Sequence, residues 1–317
     1  MASRLTTLIF AAVPAVYAIF SANAEACTAT LSSTGASYAT VQAASNAAQS
    51  IDTITVGGTC TENVTVNNQH VHITIQGSGS GTPTITGAVT TSPTLLLRAK
   101  GNQVQNLTVT GGSQGIIVER NANVAIQTIT VSGAAHEGIV VDSMAYMIIL
   151  GSTIKNNGGT GINVHQLSSA RIGVGTWEFG TISYDGNVIQ NNGNHGIDVA
   201  GMSSVAIFAN TISGNTGNGI NILASGVSTG GNTINSNGGS GIAISYNAVL
   251  ALGVVPDLSA AYPDITTTNN TAYGLVCTNG AVVGGYIGTT NPLNGSTAQS
   301  SFDSTCPNGS ANIGSAS

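Results

Sequence analysis

A glycine followed by an aliphatic residue recurs along this chain at nearly constant intervals, and no other feature restricts the fold as strongly. Successive pairs are separated by 23, 23, 35, 23, 22 and 33 residues. A period near 23, with short alternating segments and no helical pattern, is typical of a coiled solenoid whose turns stack on one another. The pairs are Gly115-Ile116, Gly138-Ile139, Gly161-Ile162, Gly196-Ile197, Gly219-Ile220, Gly241-Ile242 and Gly274-Leu275.

Each repeat divides into three short strands. In the repeat that begins at Gly196, the strands are predicted over residues 197–199, 205–207 and 210–212. Alternation directs every second side chain inward. No segment of the repeat is long enough for a crossover helix, so a βα fold is excluded. The residues predicted to face inward are Ile197, Val199, Val205, Ile207 and Ile212.

An asparagine stands four residues before five of the glycines. Asparagine tolerates left-handed backbone in bends and bonds neighbouring main chain. Stacked turns would align these amides so that each one satisfies the next. We therefore expect a buried ladder formed by Asn157, Asn192, Asn215, Asn237 and Asn270.

Residues 37–49 are predicted to form a short helix that covers the open end of the solenoid. Val41, Ala44 and Ala48 would share its buried face, because terminal repeats need a cap. Residues 52–66 would then begin the first turn.

Together, the leading helix, this first segment and the Asn…Gly-Ile repeats resemble the right-handed parallel β-helix, or pectate-lyase-like, superfamily over residues 36–290. The resemblance implies an all-β, three-sheet solenoid. Members include polysaccharide lyases, glycoside hydrolases, uronate epimerases, esterases, copper-site accessory proteins and adhesins. The chain lacks the paired-Asp and Gly-His-Gly motifs of polygalacturonases, the Asp-Pro-His-Asp of alginate epimerases and the Arg-x-Pro-x-x-Arg of pectate lyases. The resemblance therefore implies the fold but no particular reaction.

The N-terminus has the pattern of a signal peptide over residues 1–24. Arg4 precedes an apolar stretch at residues 8–20, and Ala22-Asn23-Ala24 has the form of a cleavage site. Cleavage before Cys27 would instead indicate a lipoprotein, although Glu25 fits that motif poorly. We expect a secreted, periplasmic or cell-surface protein without a membrane span. Residues 25–317 form one domain, with a cap at about 27–50, coils at about 51–290 and a tail at about 291–317.

The charge content limits the binding partners of the protein, and the cysteine spacing limits its disulfide pairing. The chain has 6 basic and 12 acidic residues, too few Lys and Arg for nucleic-acid binding. In an oxidising compartment its four cysteines would pair locally, Cys27 with Cys60 and Cys277 with Cys306, although three connectivities remain open.

Aligning the Gly-Ile strands places charged residues in one outward column, at the fourth position after each glycine. Glu119, Asp142 and His165 would stand about 5 Å apart on successive turns. Two residues earlier, the same strands give Asn163, Asp198 and Asn221. We call these six residues the polar patch. Its carboxylates and imidazole suit general acid–base catalysis, with Glu119, Asp142, His165 and Asp198 as candidate catalytic residues. A solvated sheet face is the plain alternative.

Other candidate binding groups lie around the patch. Asn163, Asn221 and Trp177 are candidate substrate-binding residues, and Trp177 belongs to an insertion at residues 173–184. A second insertion spans residues 253–266. Oxygen ligands in the patch would also suit a divalent cation such as calcium. His70 and His72 could hold copper or zinc, but no third ligand is evident. Arg171 is expected to face another sheet, which weakens the case for a lyase.

These observations favour a protein that binds or processes an extracellular polysaccharide, of lyase or glycoside hydrolase type. The alternative is a non-catalytic cell-surface or adhesion solenoid, and a periplasmic metal-site accessory is a third hypothesis. A flat threonine face could also bind ice, but no uninterrupted Thr-x-Thr column is expected.

Overall fold

The computed structural model describes residues 25–69, 71–79, 81–178, 181–253, 265–286, 293–295, 298–302, 304–306 and 313–314. Apart from one short helix, its regular structure is β-strand. The strands form three parallel sheets, and each strand pairs with its equivalents in the preceding and following coils. The chain is thus a three-sheet parallel β-helix, which confirms the predicted fold class.

Sheet 1 contains the strands that follow the repeated glycines. Its strands are Val64–Val66, Leu95–Leu97, Ile116–Val118, Ile139–Val141, Ile162–Val164, Ile197–Val199, Ile220–Leu223, Ile242–Ser245, Tyr273–Cys277 and Ala298–Phe302.

Sheet 2 follows sheet 1 along each coil. Its strands are Thr28–Leu31, Ser37–Tyr38, Thr53–Gly57, Thr74–Gly77, Lys100–Gln105, Asn123–Gln127, Tyr146–Leu150, Ser169–Ile172, Ser204–Phe208, Gly226–Gly230, Val249–Leu252, Val282–Tyr286 and Ile313–Gly314. The first two of these strands are antiparallel to their neighbours.

Sheet 3 completes the coil. Its strands are Thr59–Thr61, Thr84–Thr86, Thr108–Thr110, Thr130–Ser132, Thr153–Lys155, Val188–Gln190, Thr211–Ser213, Thr233–Asn235, Thr266–Asn270 and Leu293–Gly295. The first predicted insertion is an antiparallel hairpin of Val174–Glu178 and Thr181–Tyr184.

The interior is a continuous column of aliphatic side chains. The five residues predicted to face inward in the coil at Gly196 are at most 3% exposed. Because all three sheets direct every second residue inward, one core runs through the stacked coils. Packing between consecutive coils therefore supplies the hydrophobic stabilisation.

The predicted asparagine ladder is present and buried. Each ladder residue donates its Nδ2 to the Oδ1 of the next one at 2.9–3.0 Å, from Asn157 through to Asn270. Each accepting Oδ1 also accepts a backbone N–H at 3.1–3.2 Å. A second ladder, which the sequence did not lead us to expect, runs through Ser152, Asn187, Asn210 and Asn232 at the corner before sheet 3.

Close stacking explains why glycine recurs before sheet 1. A Cβ at Gly138 would lie 2.7 Å from the Gly161 carbonyl oxygen and 2.7 Å from the Asn157 Nδ2. At Gly161, Gly196, Gly219 and Gly241 a Cβ would meet the equivalent atoms of the next coil. The repeated glycine therefore leaves room for the next coil and for the amide ladder.

The N-terminal helix is shorter than predicted. It spans Val41–Ala47, and Ser37–Tyr38 instead forms an edge strand. Val41, Ala44 and Ala48 are buried, as expected. Glu62 holds the helix in place, because its carboxylate accepts the N–H groups of Val41 and Gln42 at 2.7 and 2.8 Å. A negative group at this end also complements the helix dipole.

Two disulfides close the ends of the solenoid. Cys27 is bonded to Cys60, and Cys277 to Cys306, which confirms the predicted pairing. Their sequence separations are 33 and 29 residues. Cross-links over loops of this length restrict the unfolded chain and contribute roughly 3 kcal/mol each.

No uninterrupted Thr-x-Thr column was expected, and the structure has Thr-x-Thr in three consecutive strands of sheet 3 before Ser132 interrupts the second position. Strand register in sheet 3 aligns five consecutive outward threonines, Thr59, Thr84, Thr108, Thr130 and Thr153. A parallel column begins with Thr61, Thr86, Thr110 and Ser132. Because no glycine marks the start of these strands, the sequence pattern did not bring them into alignment.

Candidate functional site

Sheet 1 brings Asp142 and His165 together. The backbone N–H of Asp142 donates to the Val118 carbonyl at 2.9 Å, and that of His165 donates to the Val141 carbonyl at 3.0 Å. The two residues thus extend adjacent strands in register. Their side chains lie on one face, with 3.9 Å between His165 Nδ1 and Asp142 Oδ1. With side-chain exposures of 29% and 20%, both remain accessible, and together they can act as a carboxylate–imidazole pair.

Glu119 occupies the expected place in the column, but two arginines hold it. Arg98 Nε lies 2.7 Å from Glu119 Oε1, and Arg120 Nε lies 3.3 Å from the same oxygen. Arg98 itself precedes Glu119 in the column, because its N–H bonds to Val66 and Glu119 N–H bonds to Leu97. Sequence alignment missed Arg98, since Thr94 stands in its coil where later coils have glycine.

The second column is also in register. Asn163 pairs with Asp198, and Asp198 with Asn221. Asn221 donates from Nδ2 to Asp198 Oδ1 at 2.8 Å. Burial lowers the pKa of the nearby His195 imidazole, and the Asp198 carboxylate opposes that change. His195 Nδ1 accepts the N–H of Asn218 at 2.9 Å, so a neutral imidazole fits this position.

Two oxygens in the polar patch are buried without a hydrogen-bond donor among the described residues. They are Asp142 Oδ1 and Asn163 Oδ1. A buried acceptor without a donor is costly, so such groups in native proteins have a specific reason. A ligand that supplies a donor or a cation to either oxygen would remove this cost.

Apolar side chains border the patch on two sides. Leu96, Ile117 and Val140 precede Asn163 in its own outward column. At the corner beyond the acid–histidine column, Met144 and Leu167 are 63% and 58% exposed. The patch is therefore a narrow polar strip between apolar surfaces.

Several predicted residues lie elsewhere or outside the described part of the chain. Trp177 belongs to the hairpin strand Val174–Glu178, but its side chain is outside the described set. Residues 1–24, His70 and residues 254–264 are outside the described residues as well, so the signal peptide, the histidine pair and the second insertion stay predictions. His72 packs against Gly101, since a Cβ on that glycine would lie 2.2 Å from the His72 Nδ1.

Arg171 lies on sheet 2, as expected, and not on the sheet of His165. Its guanidinium donates to the Gly175 carbonyl. Burial raises the pKa of the neighbouring Tyr146 phenol, and Arg171 opposes this effect. The cations near the patch are therefore Arg98 and Arg120 rather than Arg171.

No helix in the described part of the chain is long and apolar enough to cross a membrane. A group of three side chains with potential metal ligands consists of Cys27, Cys60 and Glu62. Because the cysteines are disulfide-bonded and Glu62 caps the helix, this group has structural roles.

Known structures share the architecture at low sequence identity. The enzymatically active domain of tailspike protein 2 from Bacteriophage CBA120 is 15% identical, with a TM-score of 0.60 over 84% of this chain and 44% of that one. ORF18 of Geobacillus virus E2 is 12% identical, with a TM-score of 0.58 over 85% and 56%. The chain thus spans about half the length of these two proteins. A mutant of the periplasmic alginate epimerase AlgG is 11% identical, with a TM-score of 0.49 over 80% and 82%.

At this level of identity the similarity shows the fold alone. No curated protein matches the sequence significantly. The family profile described as "Right handed beta helix region" matches residues 52–174 and 93–255, which together cover more than half of the chain. The chain therefore belongs to the right-handed β-helix family.

Proposed function

We propose that this protein is secreted and that it binds and cleaves an acidic polysaccharide along sheet 1. The observation that carries the proposal is the Asp142–His165 pair, 3.9 Å apart on one accessible face. The AlgG protein mentioned above is an alginate epimerase, but its similarity is too low to support the reaction. The support comes from the residues of the patch.

His165 would act as the base and Asp142 would orient it. The Asp142 carboxylate lies 3.9 Å from His165 Nδ1, on the side where it can fix the orientation of the imidazole that accepts the proton. In an elimination, His165 would take the proton from C5 of a uronate. The C4–O bond would break, a C4–C5 double bond would form, and the leaving oxygen would take up a proton from water.

Positive charge along the column that contains the base favours elimination over hydrolysis. Glu119 and Arg120 lie one coil, about 4.8 Å, from Asp142, and Arg98 lies one coil further away, so the two arginines are two and three coils from His165. Guanidinium groups bind carboxylates well, and a neutralised uronate loses its C5 proton more readily. Glu119 would then position these arginines rather than transfer a proton. Asn163, Asp198 and Asn221 would bind neighbouring sugar hydroxyls, and Trp177 remains a candidate for stacking.

A divalent cation such as calcium is an alternative ligand for three residues of the patch. Asp142 Oδ1 and Asn163 Oδ1 are buried acceptors without donors among the described residues, and carboxylate and amide oxygens are the ligands that calcium prefers. Together with Asp198, these residues would hold the ion. When bound, the cation would neutralise a uronate carboxylate.

A screen of acidic and neutral polysaccharides tests the proposal. The expected result is release of unsaturated uronate products, detected by ultraviolet absorbance, which His165→Ala and Asp142→Asn abolish without unfolding the protein. Removal of one general base typically costs about 10²–10⁴-fold in rate. Asp198→Asn should weaken binding more than turnover. His136→Ala and Asp185→Asn, at exposed positions outside the patch, are matched controls.

Products without a double bond would indicate hydrolysis instead. Binding without products in every case would favour the non-catalytic alternative, a surface or adhesion solenoid. That alternative has its own support, because the chain has only 6 basic and 12 acidic residues and small polar side chains cover much of the exterior.

A further inference from the structure

Sheet 3 presents an ordered array of threonines on a different side of the solenoid from the polar patch. Nine of its strands contribute two outward positions each, and twelve of these eighteen residues are threonine. We call the outward residues of its first four strands the threonine face. They are Thr59, Thr61, Thr84, Thr86, Thr108, Thr110, Thr130 and Ser132.

The register of these strands has no shift from one coil to the next. Equivalent threonines are therefore about 4.8 Å apart across the strands, and the two threonines of one strand are about 6.6 Å apart. Threonine is stiff at χ1 because it is β-branched. The hydroxyl and methyl groups can thus form a two-dimensional lattice instead of a mobile polar surface.

Most hydroxyls of the threonine face are free to bond outward. Thr84 donates to the Thr82 carbonyl at 2.8 Å. The hydroxyls of Thr86, Thr108 and Thr130 have no hydrogen bond within the described part of the chain. All eight residues are exposed or half-buried, so a flat ligand could reach each hydroxyl.

Composition restricts the ligand. Lys155 is the only charged residue among the eighteen outward positions, and none is aromatic. An uncharged face has no strong attraction for ions or phosphate. Without aromatic rings it also lacks the platforms on which sugars stack. The remaining recognition elements are regularly spaced hydroxyls and methyls.

We propose that the threonine face binds ice. Regularly spaced hydroxyls can occupy water positions of an ice surface, while the methyl groups order the water between them. Because the coils fix the strands rigidly, little conformational entropy is lost when such a surface adsorbs.

Ice affinity and thermal hysteresis of the purified full chain test this proposal. We expect the protein to shape ice crystals and to separate the freezing and melting temperatures. Thr108→Tyr, in the middle of the threonine face, should abolish both effects, because the bulky side chain would protrude and prevent the neighbouring threonines from contacting the flat ice surface. Thr74→Tyr, at a half-buried position on sheet 2, is the matched control and should retain them.

Circular dichroism and melting temperature would show that both variants fold. The proposal would be overturned if the unmodified protein did not shape ice crystals, or if the Thr108→Tyr variant kept full ice-binding activity. Adsorption to crystalline cellulose or chitin that is lost in Thr108→Tyr, with no effect on ice, would assign the face to a solid glycan and equally overturn it. Asp142→Asn should leave ice binding unchanged, which separates this test from that of the polar patch.

Discussion

Replacement of Asn215 by leucine should destabilise the solenoid strongly. Asn215 is 1% exposed, in the middle of the ladder. Its Oδ1 accepts from the Asn192 N–H at 3.1 Å and from Asn192 Nδ2 at 2.9 Å. Its Nδ2 donates to Asn237 Oδ1 at 3.0 Å and to the Ile189 carbonyl at 3.2 Å. Leucine has a similar shape and would remove all four bonds.

Each of these bonds contributes about 1 kcal/mol net, so their loss should lower the free energy of unfolding by about 3–5 kcal/mol. Most of this cost comes from the buried Asn192 N–H, which loses its acceptor, and from the weaker bonding of Asn192 Nδ2, which keeps only the Ile154 carbonyl. Urea denaturation followed by circular dichroism measures the change through the shift in midpoint.

Asn235→Leu is the matched control. Asn235 lies one coil further along, on the outward side of sheet 3, and is half-buried. Its replacement should change stability by about 0.5 kcal/mol or less, as for most surface positions. Equal midpoint shifts in the two variants would refute the ladder as a stabilising element and leave asparagine with only a turn preference.

Two further predictions concern glycine stacking and pH. Gly138→Ala should lower the melting temperature, because the new Cβ would lie 2.7 Å from two polar atoms of the next coil. Gly226 has open space around it, so Gly226→Ala should leave the melting temperature unchanged. Similar melting temperatures for the two variants would contradict the stacking argument. Burial lowers the pKa of His195 below its ordinary value, so the unfolded chain takes up a proton at a higher pH than the folded chain. The stability contributed by His195 should therefore be fully present above the ordinary histidine pKa and fall as the pH drops toward the folded-state value. His195→Gln should flatten this part of the pH–stability curve, and an unchanged slope below the ordinary histidine pKa would show that His195 does not contribute.

The sequence predicted those parts of the coil in which the stacking of the coils requires one particular residue type. The Gly-Ile pairs marked sheet 1, because a Cβ at each glycine would meet the next coil. The asparagine ladder followed from the same register. These predictions succeeded because each turn repeats the same local packing problem.

Where no such marker exists, the sequence was less informative. Thr94 replaces glycine at the start of one coil, so Arg98 was not aligned with Glu119, and the ion pair between them was missed. The threonine columns escaped notice because their coils differ in length before Thr130. The helix was extended too far, since its periodicity did not show that Ser37 and Tyr38 pair with the first strand.

The amide ladder has a direction, and this has a consequence for how such chains change in length. Within the ladder, each amide bond between side chains runs from the Nδ2 of one coil to the Oδ1 of the next coil. Removal or duplication of one whole coil would keep an asparagine at every ladder position, whereas half a coil would bring a different residue into that position. Gene rearrangements in units of a complete turn are therefore the ones that this architecture can tolerate, and extra residues accumulate where they can leave the stack, as the hairpin of Val174–Glu178 and Thr181–Tyr184 does.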